Sequence, residues 1–356
     1  MQREAIQKIL ALGIPKQHDE AWTFFPVSRL RPLEAQWQAL EIPATTTPPT
    51  PSTETSVPSP FSLDIANETD IAALLPIAFG AKTLSKTIAK NAVEQGILKP
   101  RDENAHTVFE IGQGAKVSLE LLENISDRDF ASERLDIFVG KDAELELFSA
   151  KKGHEGALRF RHFEIHQAES STVRVLDFNE TSATMRLSGV VKLEGQNSHF
   201  EYRSLNLNKG MASTHVHLRI EHKAPHCTSS QFVRNLLGGS AYASYDGAVI
   251  VGELCTGTLS SQLVNTILIS EDAKISVKPV LKIYHDDVEC THGNTCGTLD
   301  QESLYYLQSR GISFTDAHRI LMRAFAEEVL LAHPIATGRE RLQKILRESL
   351  NGLSKN

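Results

Sequence analysis

The pattern of apolar and polar residues divides the chain into three zones. Between residues 106 and 285 the two kinds alternate in segments such as HTVFEIG, RLDIFVG, LRFRHFEIHQ and STVRVLDFNE. Such alternation predicts β-strands, because successive side chains of a strand point to opposite faces of its sheet. Almost no helical periodicity interrupts these segments. The sequence therefore predicts a long all-β region.

Recurring phrases in this zone favour a parallel β-helix over a β-sandwich. GQGAKVSLEL, GKDAELELFS, QAESSTVRVL and SEDAKISVKP each place a polar corner and a small residue before an alternating strand. Ala115 and Ala143 lie 28 residues apart, Ala168 follows after 25 and Ala273 after a further 105. Hairpin turns, which a sandwich of this many strands needs, are sparse in the sequence. The pattern favours coils that cover one another's core and leaves the sandwich open.

The N-terminal zone, residues 1–105, has helix-like patterning. Apolar residues recur at Ile6 and Ile9, and again in IAALLPIAFGAKTLSKTIAKNAVEQGIL. A stretch rich in proline and hydroxyl residues, 42–60, interrupts the zone and is predicted to be an extended or flexible linker. The aromatic residues of AWTFFPVSRL before the linker are expected to pack onto the main body, because large aromatics usually supply buried area.

The C-terminal zone is predicted to be helical. Asp300 is placed to cap a helix over QESLYYLQSR, and Gly311 follows where a left-handed terminal residue is expected. Thr315 opens a longer segment with one apolar stripe, and GRERLQKILRESLNGL repeats the arrangement. The predicted units are, in chain order, a helical region 1–105, a β core 106–296 and a helical domain 297–356.

Composition narrows the classes of function. The 356 residues carry a net charge of -7, which provides no basic surface for nucleic acid or anionic membranes. No apolar stretch is long enough to span a membrane, and the first residues mix charge with helical periodicity, so we expect a cytoplasmic protein. The four cysteines include no C-x-x-C pair, which argues for reduced thiols and against a disulfide framework.

Histidines provide one candidate site. His215 and His217 are expected on the same face of a strand, with His222 and His226 close behind in the sequence. Imidazoles at this spacing can share a metal, so a metal hydrolase is one alternative function. No carboxylate stands in an obvious third-ligand position. A second alternative, a carbohydrate-active β-helix enzyme, needs carboxylates clustered along one face, and the sequence has no such ladder.

A second candidate site lies in the segment DDVECTHGNTCG. Cys290 and His292, two positions apart on a terminal strand, are expected to point the same way. A thiolate beside an imidazole suits iron, zinc or an iron-sulfur cluster, but two ligands do not complete a site. A Cys-His nucleophile pair needs an orienting group and an oxyanion hole that the sequence does not reveal. Cys296 is expected to be a small apolar residue in a coil.

The segment KPVLKIYHDDVECTHGNTCGTLDQESLYYLQSRGISFTDAHRILMRAFAEEV resembles the C-terminal signature of the SufD family of iron-sulfur cluster assembly scaffolds. The related SufB proteins usually carry different residues in the SHGAT and SRG positions and a cysteine-rich motif nearer the N-terminus, whereas the first cysteine here is Cys227. The positions that match the SufD pattern are Lys278, Pro279, Asp286, Asp287, Val288, Cys290, His292, Gly293, Gly297, Leu299, Asp300, Tyr306, Leu307, Ser309, Arg310, Gly311 and Ile312.

The resemblance implies a fold and a set of partners. Members of the family have a right-handed parallel β-helix flanked by helical regions, and on their own they are not enzymes. They pair with a SufB-like subunit through the β-helix and dock a SufC-like ABC-type ATPase through the C-terminal helices. The resemblance implies that four residues of the C-terminal region serve partner binding: Asp300, Tyr306, Arg310 and Phe325. A homodimer in the absence of the partner is left open.

The resemblance also implies a role for the candidate thiol and imidazole. In the family the histidine of the matching motif lies at the seam between subunits, and His292 occupies that position here. We expect His292, with Cys290 second, to be an iron or cluster ligand shared with the partner, or else a hydrogen-bonded interface histidine. No tightly bound cofactor is expected in the isolated chain, iron or a cluster is expected only transiently in the complex, and flavin binding is left open.

Overall fold

The computed structural model describes residues 1–31, 33, 63, 65–80, 83–98, 104–122, 129–181, 183–330 and 336–353. The predicted linker at 42–60 lies outside these residues. Within them, two parallel sheets of eight strands each form a β-solenoid, in which the chain passes from one sheet to the other and back. Every strand pairs in parallel with the second strand before or after it. The predicted parallel β-helix is thus confirmed, and the sandwich is excluded.

The strands have nearly constant length through most of the solenoid. Sheet A contains β1 (Thr83–Ile88), β3 (Asn104–Ile111), β5 (Phe130–Val139), β7 (Leu158–Gln167), β9 (Thr184–Leu193), β11 (Ser213–His222), β13 (Tyr242–Val251) and β15 (Lys274–Ile283). Sheet B contains β2 (Val93–Leu98), β4 (Lys116–Leu122), β6 (Glu144–Gly153), β8 (Thr172–Thr181), β10 (His199–Asn208), β12 (Thr228–Leu237), β14 (Thr258–Leu268) and β16 (Val288–Gly297).

The solenoid begins earlier than the alternating pattern indicated. The first two strands, β1 and β2, lie in the stretch whose patterning we interpreted as helical, and among its described residues only 71–79 form a helix. Alanine, lysine and glutamine favour helices there, but pairing of β1 with β3 and of β2 with β4 supplies backbone partners that outweigh local preference. The strands therefore start at Thr83 rather than near residue 106.

A left-handed residue recurs at the corner before most strands of sheet B. These residues have φ between 56° and 67°, a region in which glycine, asparagine and aspartate are the least strained. One occurs in each successive coil up to the corner before β14. The residues are Asn91, Gly114, Asp142, Ser170, Asn197, His226 and Gly257.

The main hydrophobic core fills the space between the two sheets. Alternate side chains of each strand point inward, for example Val173 and Val175 on β8 and Val216 and Leu218 on β11, and all four are buried. Burial of such residues is the main favourable contribution to folding, at about 25 cal/mol per Å² of apolar surface. Parity along a strand therefore tells which side chains face the interior.

The N-terminal helices cover the outer face of sheet A. Helix α1 (Gln2–Leu12) packs with α2 (Ile71–Phe79), and residues of both join a buried cluster with Leu158 and Phe160 of β7. Two short 3₁₀ turns, Glu20–Trp22 and Val27–Leu30, follow α1 in the chain. The predicted aromatic packing is confirmed, because Trp22, Phe25 and Phe160 meet edge to face.

The C-terminal helices cover the outer face of sheet B. They are α3 (Gln301–Ser309), α4 (Phe314–Leu330) and α5 (Ala336–Leu353). The side chain of Asp300 accepts a hydrogen bond from the N–H of Ser303, so the predicted cap is confirmed, and Gly311 is left-handed at φ 85°. Helix α4 starts at Phe314 rather than after Thr315, because the Ser313 hydroxyl accepts the N–H of Asp316.

Candidate functional site

The last coil of the solenoid is open at its outer edge. β16 pairs with β14 and β15 pairs with β13, and each stands at the end of its sheet. The C-terminal helices pack on the outer face of sheet B, in a cluster with Leu176, Leu205 and Leu236, rather than over this end. Two ten-residue strands thus present an unpaired edge at one end of the described solenoid.

Cys290 and His292 lie on the inner face of this last coil. Their register partners on β14 are Ser260 and Gln262, which are buried and share a strand face with the core residue Val264. Cys290 is half-buried against the core, while His292 is exposed. Two residues of a strand span about 6.6 Å, so the two side chains stand side by side, as predicted. The structure brings the two predicted residues together at the open end.

Burial affects the chemistry of the thiol. It raises the pKa of Cys290, so the neutral thiol is favoured in the isolated chain. A neutral thiol is a poor nucleophile and a poor metal ligand, because both roles need the thiolate. A cation placed beside Cys290 would reverse this preference. The raised pKa therefore argues against a resident nucleophile at this position.

Cys296 also belongs to the inner face of β16. It pairs in register with Thr266 and is exposed, so the expectation that it packs as a small apolar residue is wrong. The alternation of Cys290, His292, Asn294 and Cys296 places all four on one face. That spacing of two was visible in the sequence, but the missing coil beyond β16 was not. Cys296 lies four positions beyond His292, about 13 Å along the strand, which is too far for both to bind one ion.

The two aspartates before β16 do not add ligands to this face. Asp286 is fully exposed in the corner between β15 and β16. Asp287 accepts a hydrogen bond from the Thr256 hydroxyl, and this bond lowers the pKa of the carboxyl below its ordinary value. Its backbone oxygen also accepts the N–H of Gly257 at 2.8 Å. Both aspartates shape the corner that leads into β16.

The histidines of the alternative hydrolase site are placed on the outer face of sheet A. His215 is buried beside Phe25 and shares a 2.8 Å hydrogen bond with the Ser244 hydroxyl. Burial, together with the nearby Arg186, lowers the pKa of His215 to about 3, so the ring is neutral. His217 lies 3.6 Å from a carboxylate oxygen of Asp246. His215 and His217 share a face, as expected.

The other two histidines of that segment point elsewhere. His222 lies on the inner face of β11, where its Nε2 is 2.9 Å from the Ser229 hydroxyl. Burial lowers the pKa of His222 to about 4. His226 is the left-handed corner residue before β12, with φ 57°. The four histidines therefore do not converge on one point.

Another group of side chains meets the distance condition for a metal. Among the described residues, only Glu68, His162 and Glu164 form a set of three with donor atoms within 4.8 Å of one another. Arg134 donates to both carboxylates, Lys192 binds Glu164, and two backbone N–H groups bind the second oxygen of Glu68. The guanidinium thus already supplies the positive charge that a metal would bring. This group fastens the N-terminal region to the solenoid.

The residues expected to bind partners occupy two different environments. Tyr306 is exposed on α3, and the guanidinium of Arg310 lies 5.3 Å from its ring centroid. Asp300 caps the same helix. Phe325 instead faces the solenoid, where Arg234 lies 4.3 Å from its ring centroid and donates to its backbone oxygen. Tyr306 and Arg310 are thus free to meet another chain, whereas Phe325 anchors α4.

Comparisons with known proteins indicate the family to which the chain is similar. The family model for the SufBD core domain of the SUF system of FeS cluster assembly matches residues 97–325. The iron-sulfur cluster assembly protein SufD of Escherichia coli is 28% identical over 67% of this chain and 57% of its own length. A SufBD family protein of Synechocystis, slr0076, is 27% identical over 59% of this chain and 46% of its own.

A chloroplast protein of Arabidopsis thaliana, ABCI7, is 26% identical over 56% of this chain and 42% of its own length. The chain thus spans about half the length of the curated relatives that it matches. No helix among the described residues is long and apolar enough to cross a membrane. Since the family model covers well over half of the chain, the protein belongs to the SufBD family of iron-sulfur cluster assembly proteins and is SufD-like.

Proposed function

We propose that this chain is a non-catalytic scaffold subunit, which pairs with a SufB-like subunit through the open C-terminal end of its solenoid. The observation that carries the proposal is the unpaired edge formed by β15 and β16. Exposed strand edges are templates for pairing with another chain, and a solenoid needs a cap where its core would otherwise meet water. A partner solenoid supplies both.

The inner face of the last coil supports the same proposal. At the register positions of the buried residues Gln262 and Val264, β16 carries the exposed residues His292 and Asn294. A partner that continued the solenoid would cover these side chains. Polar groups that become buried in this way need partners, and ligands from the second subunit would provide them. His292, with Cys290 second, is then one half of an iron or cluster site.

The same two ligand groups, the His292 imidazole and the Cys290 thiol, indicate what the complex would carry. Imidazole and thiolate are ligands of iron and of iron-sulfur clusters, but two such groups in one chain hold neither firmly. Iron or a cluster is therefore transient cargo in the complex rather than a resident cofactor of this chain.

A second surface suits the SufC-like ATPase. Tyr305 and Tyr306 on α3, with Phe314 and Ile320 on α4, are between 43% and 68% exposed. Large apolar side chains exposed at a surface are often used in protein binding. These helices lie on the outer face of sheet B, so an ATPase bound there leaves the solenoid edge free for the SufB-like subunit.

Co-expression with SufB-like and SufC-like partners, followed by affinity purification, tests the pairing. The wild-type chain should copurify with both. Asn294→Lys places a charge on the inner face that the partner would bury, and it should weaken SufB-like binding at least tenfold. Thr291→Lys, on the outer face of the same strand, is the matched control and should retain most binding.

Two outcomes would contradict the proposal. One is failure of the wild-type chain to bind a SufB-like subunit, and the other is equal binding by the two lysine variants. Gel filtration of the chain alone shows whether a second copy occupies the same edge. Such a homodimer should dissociate when the SufB-like subunit is added.

A further inference from the structure

A ladder of polar side chains runs through the interior of the solenoid to His292. Tyr202, Gln231, Gln262 and His292 occupy the same register position on β10, β12, β14 and β16. The first three are buried, and His292 is exposed at the open end. An apolar residue would suit each interior position, so the polar ladder calls for an explanation.

The side-chain amide of Gln262 has one satisfied end and one unsatisfied end. Its Nε2 lies 3.2 Å from the backbone oxygen of Gly247 and 3.5 Å from Oε1 of Gln231. Gln231 belongs to the preceding coil, and Gly247 belongs to the strand opposite. Oε1 of Gln262 is buried and has no hydrogen-bond partner among the described residues. The NH₂ group is thus taken up by the preceding coil and the opposite strand, which leaves the oxygen available to a donor from the last coil.

Neighbouring contacts fix the amide in this orientation. Oε1 of Gln231 accepts a hydrogen bond from the Tyr245 hydroxyl, so Gln231 presents an acceptor to Gln262. Turning the amide of Gln262 over would place its oxygen against two other acceptors, Gln231 Oε1 and the backbone oxygen of Gly247. Gly247 also lets the ring of Tyr245 lie across it, since a side chain there would collide with that ring.

The neighbouring inward positions of β14 leave no comparable acceptor. The Ser260 hydroxyl, in register with Cys290, is 2.9 Å from the Ser229 hydroxyl. Val264, in register with Asn294, has no polar group. Of the buried polar side-chain atoms without a partner, Oε1 of Gln262 is the one on β14, the strand that pairs with β16.

We infer that Gln262 is a positioning residue for His292, with its buried side-chain oxygen accepting the ring N–H of that histidine. One ring nitrogen then donates inward, and the other keeps its lone pair facing the partner subunit. Histidines that bind metals commonly donate their second ring nitrogen to such an acceptor, which fixes the tautomer and the direction of the ring. The role of this hydrogen bond in metal binding rests on the proposed shared site, whereas the existence of the bond does not.

The ring tautomer of His292 measures the bond directly. The full chain is labelled with ¹⁵N-histidine, the His292 signal is assigned with His292→Gln, and spectra are recorded at a pH where the ring is neutral. The wild-type chain should show one tautomer. Gln262→Leu should show the mixture of tautomers of a ring in water, whereas Gln262→Glu keeps an acceptor and should retain one tautomer. Ser260→Ala, in the neighbouring ladder of inward side chains, should behave as wild type.

Equal tautomer ratios in the wild type and Gln262→Leu would overturn the inference. Should Gln262→Leu fail to fold, Gln262→Asn tests the same point, because its shorter side chain withdraws the oxygen and should give the mixture. In the assembled complex, Gln262→Leu should weaken Fe²⁺ binding about tenfold or more. Loss of partner binding by the wild type, with the tautomer difference retained, would remove the proposed function and leave the hydrogen bond standing.

Discussion

The guanidinium of Arg186 lies 4.0 Å from the ring centroid of Trp22 and donates to the carboxylate of Asp70 at 2.8 Å. It joins the outer face of sheet A to two parts of the N-terminal region. Burial alone would raise the pKa of Asp70, but the adjacent arginine holds that pKa below its ordinary value. This pair is a main connection between the solenoid and the helices that cover it.

Replacing Arg186 by Met should lower the free energy of unfolding by about 3 to 5 kcal/mol, because the Asp70 carboxylate is then buried without its partner. Urea unfolding measures the loss. The double variant Arg186→Met/Asp70→Asn removes the stranded charge and should recover part of the stability. If the double variant is as unstable as the sum of both single variants, the two residues do not act as a pair.

The two aromatic residues expected to bind partners should behave differently when replaced. Phe325→Ala should lower the free energy of unfolding by about 2 to 4 kcal/mol, since Phe325 packs under Arg234 and anchors α4. Tyr306→Ala, on an exposed side chain, should change stability by less than about 0.5 kcal/mol and weaken ATPase binding. Thermal unfolding and a pull-down with the SufC-like partner measure the two effects. Equal loss of stability in both variants would contradict this assignment.

Buried histidines should make the fold sensitive to acid. Burial lowers the pKa of His162 and of His215 to about 3, whereas an unfolded chain has a histidine pKa of about 6.5. Above pH 6.5 both states are neutral. As the pH falls from 6.5 toward 3, only the unfolded chain takes up the protons, so stability decreases by about 1.4 kcal/mol per pH unit for each histidine.

His215→Phe isolates one of these contributions. Its stability should depend less steeply on pH between 6 and 4, by about 1.4 kcal/mol per unit, as measured by urea unfolding at several pH values. An unchanged slope would show that His215 does not stay neutral in the folded chain.

His292→Ala separates assembly from cluster chemistry. His292 is exposed in the isolated chain, so the variant should fold and form the complex as the wild type does. Delivery of a cluster to an acceptor protein should fall, because one donor of the shared site is missing. Asn294→Ala on the same face is the control. Unchanged delivery by His292→Ala would remove the proposed ligand role.

The strand architecture could be predicted from the sequence because inward and outward residues alternate. The repeat was harder to align. Ala115 and Ala143 precede equivalent strands, but the equivalent of Ala143 in the next coil is Ser171, and Ala273 precedes a strand of the other sheet. The left-handed corner residues mark the coils more regularly. Asn, Asp, Ser, His and Gly share this conformation, so no single residue type reveals the repeat.

The candidate site was predictable only in part. The spacing of Cys290 and His292 indicated that they share a face, which the structure confirms. The sequence did not show that these residues lie on the inner face of the last coil. That position depends on how many coils precede it. The position of Gln262 behind His292 depends on the register of two strands 30 residues apart. Such long-range register comes from packing and cannot be taken from local pattern.

Amide hydrogen exchange on adding a SufB-like subunit tests the central claim most directly. The account predicts slower exchange in the two edge strands, 274–283 and 288–297, and no change in β1 and β2 at the other end of the solenoid. The outward lysine variant Thr291→Lys should show the same protection, and Asn294→Lys should not. Protection confined to the N-terminal strands or the helices, with the edges of β15 and β16 exchanging as before, would contradict it.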